Sequence, residues 1–225
     1  MAKRYRQRKR RHRRRVQRYL RLGACLLICL LLAFIAMKCF GWGPFQDGYT
    51  EKVGQEMDAA RPEIETKLLT VNPYSRPGTK IGQIHNIVLH YTANPGTTAM
   101  QNRNYFEGLK DSHITKASSH FVVGIQGEIV QCIPMNEVSF ASNDRNGDTI
   151  SVETCHMTAD GSYTQETYDS MVALATWLCM KFDLDEQDII RHYDVTGKNC
   201  PKYFVENEEA WVTFKADVKA ALEEK

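Results

Sequence analysis

The stretch RHYDVTGKNCPKYF, beginning at Arg191, puts His192, Lys198 and Cys200 on one short segment, with Gly197 and Pro201 among them. An imidazole, an ammonium and a thiol in such proximity invite a chemical reading. Far upstream, NIVLHYT carries His90 at the end of a short apolar run of buried-strand type. His192 likewise follows a strand-like run, DIIRH. In parallel or mixed sheets, sites gather at the carboxyl ends of strands. Two imidazoles and one thiolate make a three-ligand zinc set that leaves a fourth position open. A metal held that way makes activated water available near neutral pH. The same side chains also have plainer uses. Cys200 equally suits a buried thiol or half of a disulfide, and most histidines are surface or core residues.

The flanking segments alternate between strand and helix signals. TTAMQNRNYFEGL brings Met100, Tyr105, Phe106 and Leu109 near one helical face. SSHFVVGIQGEIVQCIP has two β-rich runs around Gln126-Gly127, which predicts a hairpin. TISVETC reads as a further strand. Its alternation puts Ser151, Glu153 and Cys155 on one face and Ile150, Val152 and Thr154 on the other. TQETYDSMVALATWLCMKFDL predicts a helix burying Tyr168, Met171, Val172, Ala175, Leu178, Cys179 and Phe182. A last helix over EAWVTFKADVKAALEEK presents Trp211, Phe214, Val218 and Leu222. Together these predict an α/β fold, a mixed central sheet flanked by helices.

Charge divides the chain. Residues 1–21 hold twelve Lys or Arg and no acid, whereas the rest holds 17 basic and 27 acidic side chains. Leu22–Met37 then runs without a charge. As a helix it spans roughly 24 Å, and about 31 Å when Phe40 and Trp42 are included, close to a bilayer core. A basic flank before it and a single Lys38 after it predict the N-terminus inside and the body outside. The expected organisation is a basic cytoplasmic tail (1–21), one transmembrane anchor (22–42), a polar stalk or linker (43–80) and a body (81–225). Ala33 and Ala36 are spaced wrongly for an A-x-A cleavage site, which favours an uncleaved anchor over a signal peptide. The tail then contacts anionic membrane lipid, and no specific nucleic-acid partner is expected. Cys25, Cys29 and Cys39 lie in or beside the apolar run, and Cys132, Cys155, Cys179 and Cys200 in the body. Their spacing assigns no disulfide.

NIVLHYTANPG, SSHFVVGIQGEIVQCIP, ISVETC and RHYDVTGKNCP, in this order, resemble the successive motifs of the zinc-dependent N-acetylmuramoyl-L-alanine amidases of type 2, the family of phage T7 lysozyme and the peptidoglycan recognition proteins. The likeness covers roughly residues 80–222. It implies one zinc ion per chain, a peptidoglycan substrate, and cleavage of the amide between N-acetylmuramic acid and L-alanine. By that resemblance His90, His192 and Cys200 match the zinc ligands, Glu153 the general base, and Lys198 the cation that faces the developing oxyanion. Phage T7 lysozyme has a tyrosine before the histidine of its HF motif; here that place is Ser119, which leaves proton transfer to Glu153. Tyr91, Asn94, Ser119 and His120 are candidates for substrate contact. His113 and His156 receive no role. The expected protein is a single-pass enzyme of a bacterial cell membrane with its body outside; a peptidoglycan-recognition module that does not cut is the alternative.

Overall fold

The computed structural model describes residues 58–224. The expected tail, anchor and first part of the stalk lie outside the described residues. Among the described residues, no helix is long and apolar enough to cross a membrane.

Six strands form one mixed sheet: β1 (Glu65–Thr66), β2 (Asn86–Tyr91), β3 (Phe121–Val123), β4 (Ile129–Gln131), β5 (Thr149–Thr154) and β6 (Ile189–Arg191), in the order β1-β4-β3-β5-β2-β6. Only β3 and β4 pair antiparallel. The other neighbours, β5–β2 and β2–β6 included, run parallel. The antiparallel pair is the expected hairpin. Gly127 turns it at φ 80, in the left-handed region, where a Cβ would meet Ser170 Oγ at 2.8 Å and Glu166 O at 2.9 Å.

Alternation along the strands sorts their side chains between two cores. Ile87, Leu89, Phe121, Val123, Ile150, Val152 and Ile189 face one core. It is closed by helix α2 (Gln165–Phe182) and the C-terminal helix α5 (Glu208–Glu223), through Met171, Leu174, Leu178, Phe214 and Val218. Val122, Val130 and Cys155 face a smaller core with Ala99 and Phe106 of helix α1 (Ala99–Ser112). The expected faces of β5 therefore hold. In α1 the buried positions are Ala99, Asn102, Phe106 and Leu109. Tyr105, expected inward, is half exposed. Adjacent helix positions are about 100° apart, so Phe106 and Tyr105 cannot share the buried stripe. Around α2, Leu174, Thr176 and Trp177 are buried as well, because the helix lies between the sheet and α5.

Residues 58–80, expected as the outer half of a stalk, instead pack on the body. β1 adds an edge strand beside β4. Leu69 is buried in the smaller core. Arg76 donates to Glu137 at 2.8 and 3.0 Å and to Leu69 O at 2.7 Å. A few buried anchors fix a segment whose polar composition gave no sign of them.

Candidate metal centre and groove

Three parallel strands, β5, β2 and β6, bring the chemistry together. His90 lies opposite Glu153 in the β2–β5 register. On the other side Leu89 pairs with Arg191, the last residue of β6. His192, the next residue, begins the short helix α3 (His192–Thr196) at the level of His90. Asp194 fixes this start. Its carboxylate accepts from the Arg191 backbone N–H at 2.8 Å and from the Arg191 side chain at 3.0 and 3.2 Å.

A closed loop returns the thiol to the imidazole. Gly197 ends α3 at φ 76, and its N–H bonds Tyr193 O at 2.7 Å. The Tyr193 N–H then bonds Cys200 O at 2.8 Å. One helical turn plus a glycine turn thus explains why Cys200 stands eight residues after His192. Helix α4 (Lys202–Glu206) follows and buries Phe204 in the larger core.

His90 Nδ1 lies 3.1 Å from His192 Nδ1 and 3.9 Å from Cys200 Sγ. The three ligand atoms fall within 4.8 Å of one another, and all three residues are buried. Burial is the main force on each group. It holds His90 well below the usual imidazole range, with His192 and Lys198 adding repulsion. His192 is lowered by burial and then by Lys198. Both rings therefore stay neutral, the state in which imidazole offers a lone pair to a metal. Burial pushes the Cys200 thiol up to about 12, helped by Glu153 and opposed by the Tyr91 N–H and Lys198. Such a thiol ionises at neutral pH only when a cation is supplied beside it. Two neutral imidazoles and a reluctant thiol facing one point fit a zinc ion, whose preferred donors they are.

Glu153 stands beside this trio. Its Oε2 is buried and has no hydrogen-bond partner. Burial raises its carboxyl from 4.5 to about 7, against the opposing pull of Lys198. An orphaned carboxylate poised near neutrality is what a proton-transfer group requires. His90, Glu153, His192, Lys198 and Cys200 all line one groove of about 390 Å³.

Of the four candidates for substrate contact, Tyr91 lines the groove. Asn94 is exposed on the following turn, outside the groove lining, and accepts through its backbone oxygen from Thr97. Ser119 and His120 are fully buried and hold the sheet together. Ser119 Oγ bonds Phe121 O and Ser151 O at 2.7 and 2.9 Å. His120 bonds Ser151 Oγ at 3.0 Å and Glu137 O at 2.8 Å. The structure thus assigns these two to a buried polar network rather than to the groove. His113 ends α1 and stacks on Tyr74, and His156 packs against Tyr91. Phe106 of α1 also lines the groove, together with Lys116, Phe140, Asn143 and Asn146, which no sequence signal marks. Those last four lie outside the strands and long helices, where periodicity is silent.

The cysteines of the described residues, Cys132, Cys155, Cys179 and Cys200, are all free.

Known proteins similar to this chain share one family description. The N-acetylmuramoyl-L-alanine amidase family (Amidase_2) matches residues 80–203, more than half of the chain. N-acetylmuramoyl-L-alanine amidase BlyA of Bacillus subtilis (strain 168) is 38% identical over 175 residues, covering 68% of this chain and 46% of that protein. N-acetylmuramoyl-L-alanine amidase CwlL of Bacillus licheniformis is 36% identical over 173 residues, covering 71% of this chain and 48% of that protein. The chain therefore spans about half the length of the curated relatives it matches. Among solved structures, the catalytic domain of XlyA superposes with a TM-score of 0.59 at 27% identity, covering 70% of this chain and 99% of that one. A matching family profile across the very strands and loop that assemble His90, Glu153, His192 and Cys200 leads to one conclusion: the chain belongs to the N-acetylmuramoyl-L-alanine amidase family.

Proposed function

We propose that this chain hydrolyses the amide bond between N-acetylmuramic acid and L-alanine in peptidoglycan, with one zinc ion held by His90, His192 and Cys200. The observation that carries this reading is the convergence of two neutral imidazoles and a thiol beside a buried, unpartnered carboxylate. When bound, zinc supplies Lewis acidity toward a carbonyl and lowers the pKa of water to about 7. The residues of the chain do the rest. Glu153 takes the proton of the attacking water and delivers it to the leaving L-alanine nitrogen. Lys198, on the groove wall, places its ammonium toward the oxygen on which negative charge develops. Phe106 and Phe140 line the groove, and an apolar wall beside the reacting atoms strengthens both effects.

The setting is part of the proposal. The run 22–42, charged only at Lys38, anchors the chain in a bacterial cell membrane, the basic tail 1–21 stays cytoplasmic against anionic lipid, and the body works outside on the wall. The test is digestion of purified peptidoglycan by the full chain in detergent, with mass analysis of the products. New L-alanine amino termini without new reducing sugar ends are expected. Binding to peptidoglycan with no such termini would replace the enzyme with a recognition module.

A further inference from the structure

The mechanism above leaves unused the loop between β4 and β5, although that loop touches both imidazoles. Ser142 Oγ lies 3.3 Å from His90 Nε2. His192 Nε2 donates to Asn143 Oδ1 at 2.9 Å. These are the outer nitrogens of the rings whose inner Nδ1 atoms face each other and Cys200. We infer that Ser142 and Asn143 are positioning residues that clamp the outer nitrogens of His90 and His192, so that both rings present Nδ1 to the metal. This inference rests on the zinc reading above.

The chemistry of the two oxygens is what makes the contacts directional. An amide oxygen can only accept, so the His192 proton is held at Nε2 and the lone pair at Nδ1. With Nδ1 of His90 on a metal, its proton too must sit at Nε2. That N–H is buried and has Ser142 Oγ to receive it. Without this hydroxyl a buried donor would lack a partner. Groups that hold the second nitrogen of a ligating imidazole fix the ring's tautomer and orientation.

The loop is built to keep these oxygens still. Ser142 is itself buried. Asn146 Oδ1 accepts from the backbone N–H groups of Ala141 and Ser142 at 3.0 and 2.6 Å. Ser118 ties the preceding residue, accepting from the Phe140 N–H at 2.9 Å and donating its own N–H to Phe140 O at 3.1 Å. Asn143 stands at φ 53, in the left-handed region. Glycine would fill that conformation with least strain, and Asn is among the few other residues that tolerate it. A side chain kept where glycine would relieve the backbone fits a residue retained for what its oxygen holds.

The test measures zinc affinity of the full chain by chelator competition, alongside the unfolding temperature of the metal-free protein. Asn143→Gly removes the oxygen and suits the backbone; Ser142→Ala removes the hydroxyl. Each is expected to weaken zinc about 10–100-fold, with the metal-free protein still folded and unfolding in one cooperative transition. Asn143→Asp keeps an acceptor and is expected to restore wild-type affinity. If Asn143→Gly and Ser142→Ala hold zinc as tightly as the wild type, the clamp is wrong and the metal centre stands. If Asn143→Asp is as weak as Asn143→Gly, the effect belongs to loop packing and the clamp is again wrong. A wild-type chain that binds no zinc overturns the metal centre, and the clamp with it.

Discussion

Glu153 illustrates how one residue can serve reaction at the expense of the fold. Burial raises its carboxyl from 4.5 to about 7, so the folded, metal-free protein holds this proton more tightly than the unfolded chain. The sign follows from linkage. The Glu153 contribution to stability is full below pH 4.5, falls as pH rises toward about 7, and stays low above it. Glu153→Gln removes the buried charge. In chelator-treated protein at pH 8 it is expected to raise stability by on the order of 2 kcal/mol, with no gain at pH 4. An unfolding temperature unchanged at pH 8 would contradict the burial argument. Cys200→Ser is expected to lower zinc content and hydrolysis together, because a neutral hydroxyl is a far poorer ligand than thiolate. Full zinc occupancy in that variant would return Cys200 to a purely structural role. At this scale the sequence was informative where chemistry and element ends coincide. His90, His192 and Cys200 sit at strand ends or on a glycine-bearing loop, and the structure brings them together. Ser119 and His120, candidates for substrate contact, turn into the buried network instead, because adjacency to a strand does not say which side chain faces the groove. Ser142 and Asn143 carried no periodic signal at all.

Among the elements, the loop 191–200 carries the most consequence. Arg191 underlies it, bonding Asp194, Glu208 and the Phe204 carbonyl while its side chain is largely buried. Arg191→Leu strands these partners and is expected to cost roughly 2–4 kcal/mol in stability. A denaturant titration checks this, and a loss under 0.5 kcal/mol would make the network incidental. Gly197 matters for its backbone alone, since a Cβ there meets no atom within 4 Å. Gly197→Ala is therefore expected to cost about 1 kcal/mol through its φ of 76 and not through a clash. The strands and long helices were legible because each carries a period of about 2.0 or 3.6 residues. The edge strand β1 was not. Two residues are too few for a period, and its pairing with β4 depends on Leu69 and Arg76 further along.

For the whole molecule the charge asymmetry makes a separate claim. Twelve cations precede the apolar run, and the remainder carries a net negative charge. Protease added to intact, wall-stripped cells is expected to remove the body; a protected body would reverse the proposed orientation. The reaction itself is tested most directly by comparing wild-type and Glu153→Gln chains, both loaded with zinc, on purified peptidoglycan. The quantity to measure is the rate at which new L-alanine amino termini appear. The wild type is expected to release them, more slowly as pH falls through the coupled titration of the site. The Gln variant should bind zinc and peptidoglycan normally yet release termini about 10²–10⁴-fold more slowly. A Gln variant that cleaves at the wild-type rate would contradict the central role given to Glu153.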